Sequence, residues 1–364
     1  MYFLFSTCRK HFILIGLISY FFGTLHDIII YFHENKFSAF DWKITQYHVN
    51  YIDFGFVKRG LVGTVLYPFL SAFQTGGMWE IVFLWSLDLA CFFLVLILLH
   101  RALRHLPAEW SDWLRVVIIF SPIGIMQYAY DVGRYDHFNY LVIAGIIACL
   151  MGGRFALASL IMTAGILLHE AVFFYALPLM IAAIWLKRKP LAEAALLAVG
   201  PVAAMALVVL FGNASAELMA RLPAAISGGA EVWGRSILEP AYNFGVRNAI
   251  ILAVYLALLM GLVLRYAMTS GGPSLMLMLP VICCLPLFGL GIDYFRWVHL
   301  MFVAFMSTAI LLALQAPGRP IAMTTWDKGL VLALATPAGP IGVEWGLPLA
   351  IKLLSLLAHR IAAI

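Results

Sequence analysis

The chain has 364 residues, 64% of them apolar and only 11% charged, and its mean hydropathy is +0.97. That much apolar surface exceeds what one water-soluble core can hide, which excludes a soluble enzyme and marks an integral membrane protein. The net charge of +5 belongs to basic residues flanking apolar runs, so no nucleic-acid partner is expected.

Runs of about 18 to 25 apolar residues, each long enough to cross roughly 30 Å of hydrocarbon as a helix, recur along the chain. They are continuous rather than alternating, which predicts helices and not barrel strands. The expected fold is all-α: one polytopic membrane domain over 1–364 with about 10 to 12 spans, short paired helices, and re-entrant or interfacial segments on the outer face.

In chain order, spans are expected at 11–32, 78–100, 115–131, 137–152, 156–169, 171–186, 191–212, 248–268, 273–291, 297–315, 329–342 and 344–362. Arg9 and Lys10 precede the first, and no small-residue cleavage site follows it, so it reads as a retained span. The stretch 61–75 is short and carries Gly63 and Pro68, which suits an interfacial or re-entrant helix. Segment 156–186 is too long for one upright helix and too short for two full ones, so His169 and Glu170 mark the tip of a hairpin of short helices. The cysteines, Cys8, Cys91, Cys149, Cys283 and Cys284, form no CxxC pair and read as small hydrophobes.

With the N-terminus inside, each short cytoplasmic connection carries a base: 100–115, 152–154, 186–189, 265–272 and 317–320. The extracytoplasmic side then collects the first outer loop (33–60), the GRYDH segment (133–137), His169–Glu170, the longest outer loop (213–247) and IDYFRW (292–297).

Each of these clusters admits a plain reading and a functional one. In the first loop, Asp41, Asp53, Lys58 and Arg59 are either solvated charges or, with Gly55, Gly60 and Gly63 allowing close backbone approach, an anion site at a helix start. Asp131, Arg134, Asp136 and His137 either pin a hairpin through an internal ion pair or hold phosphate, protons or a metal. His169 and Glu170 are not part of an HExxH motif, because residue 173 is Phe, and point to acid–base work or half of a composite site. Asp293 and Arg296 share a helical face as a simple pair or as part of that site, and His299 can join them. Loop 213–247, with an amphipathic helix near 215–226, is a solvated surface or a lid. No Walker A, dinucleotide-binding, GxSxG or EF-hand pattern appears.

The combination of DFGFVKRGLVG after the first span, GRYD, an outer HE before FFYALP, and DYFRW near a late span resembles bacterial multi-spanning glycan-assembly enzymes, namely GT-C-type glycosyltransferases and Wzy-type polysaccharide polymerases. The resemblance covers about residues 10–315, and neither the long soluble C-terminal domain of many GT-C enzymes nor their tight first-loop acidic pair is present. It implies transfer of sugar from a polyprenyl-phosphate or polyprenyl-diphosphate carrier at the outer face of a bacterial inner membrane. Under that implication Asp53, Asp136, His169 and Glu170 are candidates for acid–base catalysis, and Lys58, Arg59, Arg134 and Arg296 for holding the phosphate. Asp41, Asp131, His137 and Asp293 support them, and a divalent cation is possible. The rival class is a polytopic transporter or flippase for a lipid-linked or anionic substrate, which predicts charges spread through the membrane depth.

Overall fold

The protein is described by a computed structural model covering residues 2–34, 38–130, 133–222, 246–271, 273–290, 294–315 and 321–336. Among these residues the fold is all-helical, with no strand. The helices, in chain order, are α1 (Tyr2–Lys10), α2 (Phe12–Glu34), α3 (Ser38–His48), α4 (Tyr51–Phe54), α5 (Gly60–Leu70), α6 (Met78–Ala102), α7 (Ala108–Phe120), α8 (Ile125–Tyr130), α9 (Asp136–Met151), α10 (Phe155–Leu168), α11 (Val172–Leu186), α12 (Leu191–Phe211), α13 (Ala216–Met219), α14 (Val246–Thr269), α15 (Ser274–Cys284), α16 (Leu287–Leu290), α17 (Tyr294–Gln315) and α18 (Thr325–Leu334).

Among the described residues five segments are long and apolar enough to cross a membrane: Met78–His105, Ala108–Tyr130, Leu191–Phe211, Ala249–Thr269 and Tyr294–Gln315. Other apolar helices, including α5, α9, α10, α11 and α15, are shorter. Segments 108–130 and 294–315 are mostly buried within the protein, whereas 191–211 and 249–269 leave most of their surface uncovered, as lipid-facing helices do. The expected span 344–362 lies outside the described residues, as does 337–342 of the expected span 329–342, whose described part belongs to α18 as far as Leu334. Of the amphipathic helix expected near 215–226, the described residues hold a single turn, α13, followed by a turn at Ala220, and residues 223–226 lie outside the described residues. The start of α13 is set by Ser215, whose hydroxyl accepts the Leu218 N–H at 3.1 Å.

The chain groups into two compact units, described separately. The first comprises 1–26, 96–131 and 240–364. In it α17 packs on α14 and α15, and α18 packs on α7 and α14. Tyr266 is wedged between the rings of Trp110 and Phe305, and the Trp110 indole donates to Thr269 Oγ1 at 2.9 Å. The start of α18 is held by a capping box in which Thr324 and Asp327 bond each other's backbone N–H. Asp327 also accepts from Arg265, and Glu109 from Lys328 at 2.7 Å.

The second unit comprises 27–95 and 132–239. Here α10 lies against α9, α11 and α12 through small residues. Gly165 faces Val142 and Val172, Gly200 faces Thr163, and the Ser159 hydroxyl donates to the Leu197 carbonyl at 2.6 Å. The tip expected at His169–Glu170 is a short connection between α10 and α11. Helix α5 packs against α3 and α4. That approach requires Gly63, because a Cβ there would lie 2.1 Å from the Val49 carbonyl oxygen.

Candidate functional site

The stretch between α4 and α5 is built by local capping. Asn50 Oδ1 accepts the N–H groups of Ile52 and Asp53 at 2.9 and 2.8 Å, which starts the single turn of α4. Asn50 Nδ2 donates to Asp53 Oδ2 at 2.9 Å and so holds one oxygen of an otherwise exposed carboxylate. Gly55 turns the chain at φ 65°, and Arg59 enters α5 in the left-handed region at φ 64°. For a residue with a Cβ that backbone costs about 1 kcal/mol or more, so its surroundings must hold it there. Gly60 and Gly63 are occupied by internal packing, on the Tyr51 ring and the Val49 carbonyl, and not by approach to a ligand.

What holds Arg59 is Glu170. Its Nε lies 3.1 and 3.0 Å from the two Glu170 oxygens, and Nη2 also donates to Oε1. The side chains retain only 18% and 11% of their exposure. Burial alone would raise the Glu170 carboxyl, but the Arg59 guanidinium outweighs it and keeps the group well below the usual carboxylate range. The pair is therefore charge-compensated and Glu170 is a weak base. The preceding residue, Lys58, is buried; its N–H donates to the Gly212 carbonyl at 2.7 Å and its Nζ to Asn213 at 3.4 Å. His169 Nδ1 accepts the Ala171 N–H at 3.1 Å. The same nitrogen lies 3.8 Å from Glu170 Oε2.

The GRYDH turn is pinned to α3. Gln46 Nε2 donates to the Gly133 carbonyl at 2.6 Å, and the fully buried Tyr135 hydroxyl donates to the Gln46 carbonyl. Arg134 is half-buried at this turn. Asp136 is buried in the first turn of α9, where the helix dipole favours a carboxylate, and accepts from Asn139 at 3.3 Å. His137 Nδ1 pairs with Asp88, and both side chains are buried. Asp88 lies near the middle of candidate span 78–105.

A cavity of about 500 Å³ opens in the same unit. Asp53, His48, Asn50 and Arg221 line it together with the rings of Tyr47 and Tyr67. Behind His48 sits Glu80, wholly buried, with Oε1 2.7 Å from His48 Nε2 and Oε2 accepting the Gly76 N–H at 2.6 Å.

Asp53, Lys58, Arg59, Arg134, Asp136, His137, His169 and Glu170 thus belong to one compact unit, and Arg59 meets Glu170 directly. Glu170 does not line the cavity that holds Asp53. Arg296 belongs to the other unit, where it is buried, its guanidinium 5.4 Å from the Trp297 ring centroid. In that unit His299 Nδ1 pairs with the Ile123 carbonyl at 2.8 Å. Asp131 and Asp293 lie outside the described residues, and of Asp41 only the backbone, within α3, is described. His48, Glu80 and Asp88 are absent from the residues the sequence singles out. Among the described residues no three His, Cys, Asp or Glu side chains come together in a way that could hold a metal ion.

The described residues are all-helical, and their long apolar helices together with the composition mark a membrane protein. Comparison with protein-family models, with curated proteins and with solved structures finds no match.

Proposed function

We propose that the protein is a membrane glycosyltransferase or polysaccharide polymerase that moves a sugar from a polyprenyl-phosphate carrier to a hydroxyl acceptor at the extracytoplasmic face. The observation that carries this reading is the cavity in which Asp53, His48 and Arg221 face the same space among tyrosine rings. Its volume suits a small-molecule site. Tyrosine rings offer apolar faces to a sugar, a carboxylate accepts from its hydroxyls, and a guanidinium matches phosphate oxygens.

In the transfer, the acceptor oxygen bonds to the anomeric carbon while the bond from that carbon to the carrier phosphate breaks. The electron pair leaves with the phosphate, and the acceptor proton passes to a base. Arg221 is the cation that lines the cavity; Arg59, compensated by Glu170, is read as holding the α4–α5 turn in place. The bacterial inner membrane, with this site facing outward, is part of the same proposal.

The test is incubation of the purified full-length protein in nanodiscs with a panel of polyprenyl-phosphate-linked sugars, scoring transfer against release. Transfer by the wild type is expected, with Asp53→Asn and Arg221→Ala each slowing it about 100-fold. Transfer unchanged in both variants would remove the cavity from the reaction.

One observation favours a second reading, a transporter or flippase for a lipid-linked or anionic substrate: the Asp88–His137 pair is buried near the middle of a candidate span. Translocation of a labelled lipid-linked sugar across proteoliposomes, lost in Asp88→Asn and with no new glycosidic bond, would select it.

A further inference from the structure

We infer that His48 is the acid–base group of the cavity and that Glu80 is the positioning residue that fixes its tautomer, an inference that rests on the group-transfer reading above. Glu80 uses both oxygens: Oε2 takes the Gly76 N–H and Oε1 faces His48 Nε2. A carboxylate only accepts, so Nε2 carries the proton and the lone pair of the neutral ring sits on Nδ1. Nδ1 makes no hydrogen bond among the described residues, and the side chain keeps 17% of its exposure where it lines the cavity.

An imidazole with a buried carboxylate behind it and an open nitrogen in front is the arrangement that general acid–base chemistry needs. Glu80 is wholly buried, and a buried carboxylate needs partners such as the imidazole and the Gly76 N–H to offset its desolvation. Three elements add titratable groups to the cavity beside the ring: Asp53 from α4, Tyr67 from α5, and Arg221 from the turn after α13. Tyr47, next to His48 in α3, also lines it. Of the carboxylates near the ring, Glu80 is the one within hydrogen-bond distance of the imidazole.

In the transfer, the acceptor hydroxyl proton moves to His48 Nδ1 as the oxygen bonds to the anomeric carbon, and the electron pair of the broken bond leaves on the carrier phosphate. Glu80 then holds the resulting imidazolium, and Asp53 stays free to bind sugar hydroxyls.

Two measurements on the full-length protein in nanodiscs test this. The first is the ¹⁵N histidine spectrum, with His48→Gln assigning the signal. It is expected to show Nε2 protonated and Nδ1 bare, and Glu80→Gln, whose amide can donate, is expected to disturb that tautomer. A protonated Nδ1, or a spectrum unmoved by Glu80→Gln, overturns the role of Glu80. The second measurement is transfer from polyprenyl-phosphate-linked sugars. His48→Ala is expected to lose about 100-fold or more in kcat and to recover part of it with added imidazole, and Glu80→Gln to lower kcat with little change in donor KM. Full activity in His48→Ala, or a loss that imidazole does not restore, overturns the acid–base role while the transfer reading stands. If the wild type transfers from no donor, the transfer reading fails and the acid–base role falls with it, and the tautomer measurement still decides the pairing.

Discussion

Removing one side of the Arg59–Glu170 pair is the sharpest stability test of this fold. The guanidinium makes a forked contact with both carboxylate oxygens, and both side chains are largely buried. Breaking a buried pair from one side typically costs 3–5 kcal/mol, because the remaining charge is left uncompensated. The residual exposure of both partners places Arg59→Ala at the low end, about 3 kcal/mol. Glu170→Gln should cost less, about 2 kcal/mol, since its amide still accepts one N–H. The double variant leaves no orphan charge, so its cost should fall short of the sum by about 2 kcal/mol. Equilibrium unfolding in mixed micelles, run as a double-mutant cycle, measures this. The sign of the pH effect also follows. Glu170 lies between α10 and α11, outside the five candidate spans, and its folded carboxyl is depressed below the ordinary value of about 4.3. The pair's contribution is therefore fully present above that value and is lost as the pH falls through the folded-state titration. The stability gap between wild type and Glu170→Gln should be flat from about pH 8 to about pH 5 and shrink below about pH 4. Additive single variants, or a gap that closes near neutrality, would refute the reasoning.

Gly63→Ala places a methyl group against the Val49 carbonyl and should cost about 1–3 kcal/mol, visible as a lower unfolding midpoint. Asp88→Leu, which strands the buried His137, should cost about 2–4 kcal/mol, and Asp88→Asn clearly less, because an acceptor remains. Asp327→Ala removes both a helix cap and the partner of Arg265; about 2 kcal/mol of unfolding free energy is expected to go with it. Burial opposes ionisation of Asp327, but the bonds from Arg265 and Thr324 depress its carboxyl, so its contribution too should fade only on acidification below the ordinary Asp range.

The positions of most helices are legible because they depend on local features, the lengths of apolar runs and the residues that interrupt them. The break at His169–Glu170 is an instance: charge between two apolar segments marks the connection that α10 and α11 share. Partnership is harder to read. Arg59 and Glu170 both stand out as charges in apolar surroundings, but they are 111 positions apart, and nothing local joins them. Glu80 and Asp88 did leave a signal, since each is an acid within an apolar run and such a group is costly unless paired. Reading 78–100 as a uniform span passes over both, and with them His48, which owes its role to Glu80. The glycines near α5 show the converse. Their spacing is equally consistent with close approach of a ligand or of the protein itself, and only the fold reveals Val49 and Tyr51 there.

The consecutive residues Lys58 and Arg59 grip two different connections, the end of α12 through Gly212 and the α10–α11 tip through Glu170. For anyone mapping sidedness with inserted reporters, this turn is a poor place to cut the chain, since an insertion would spread the two grips apart and the fusion would report on a damaged molecule. The Gly152–Arg154 turn is the better choice: it is exposed, and Gly153 has open space around it.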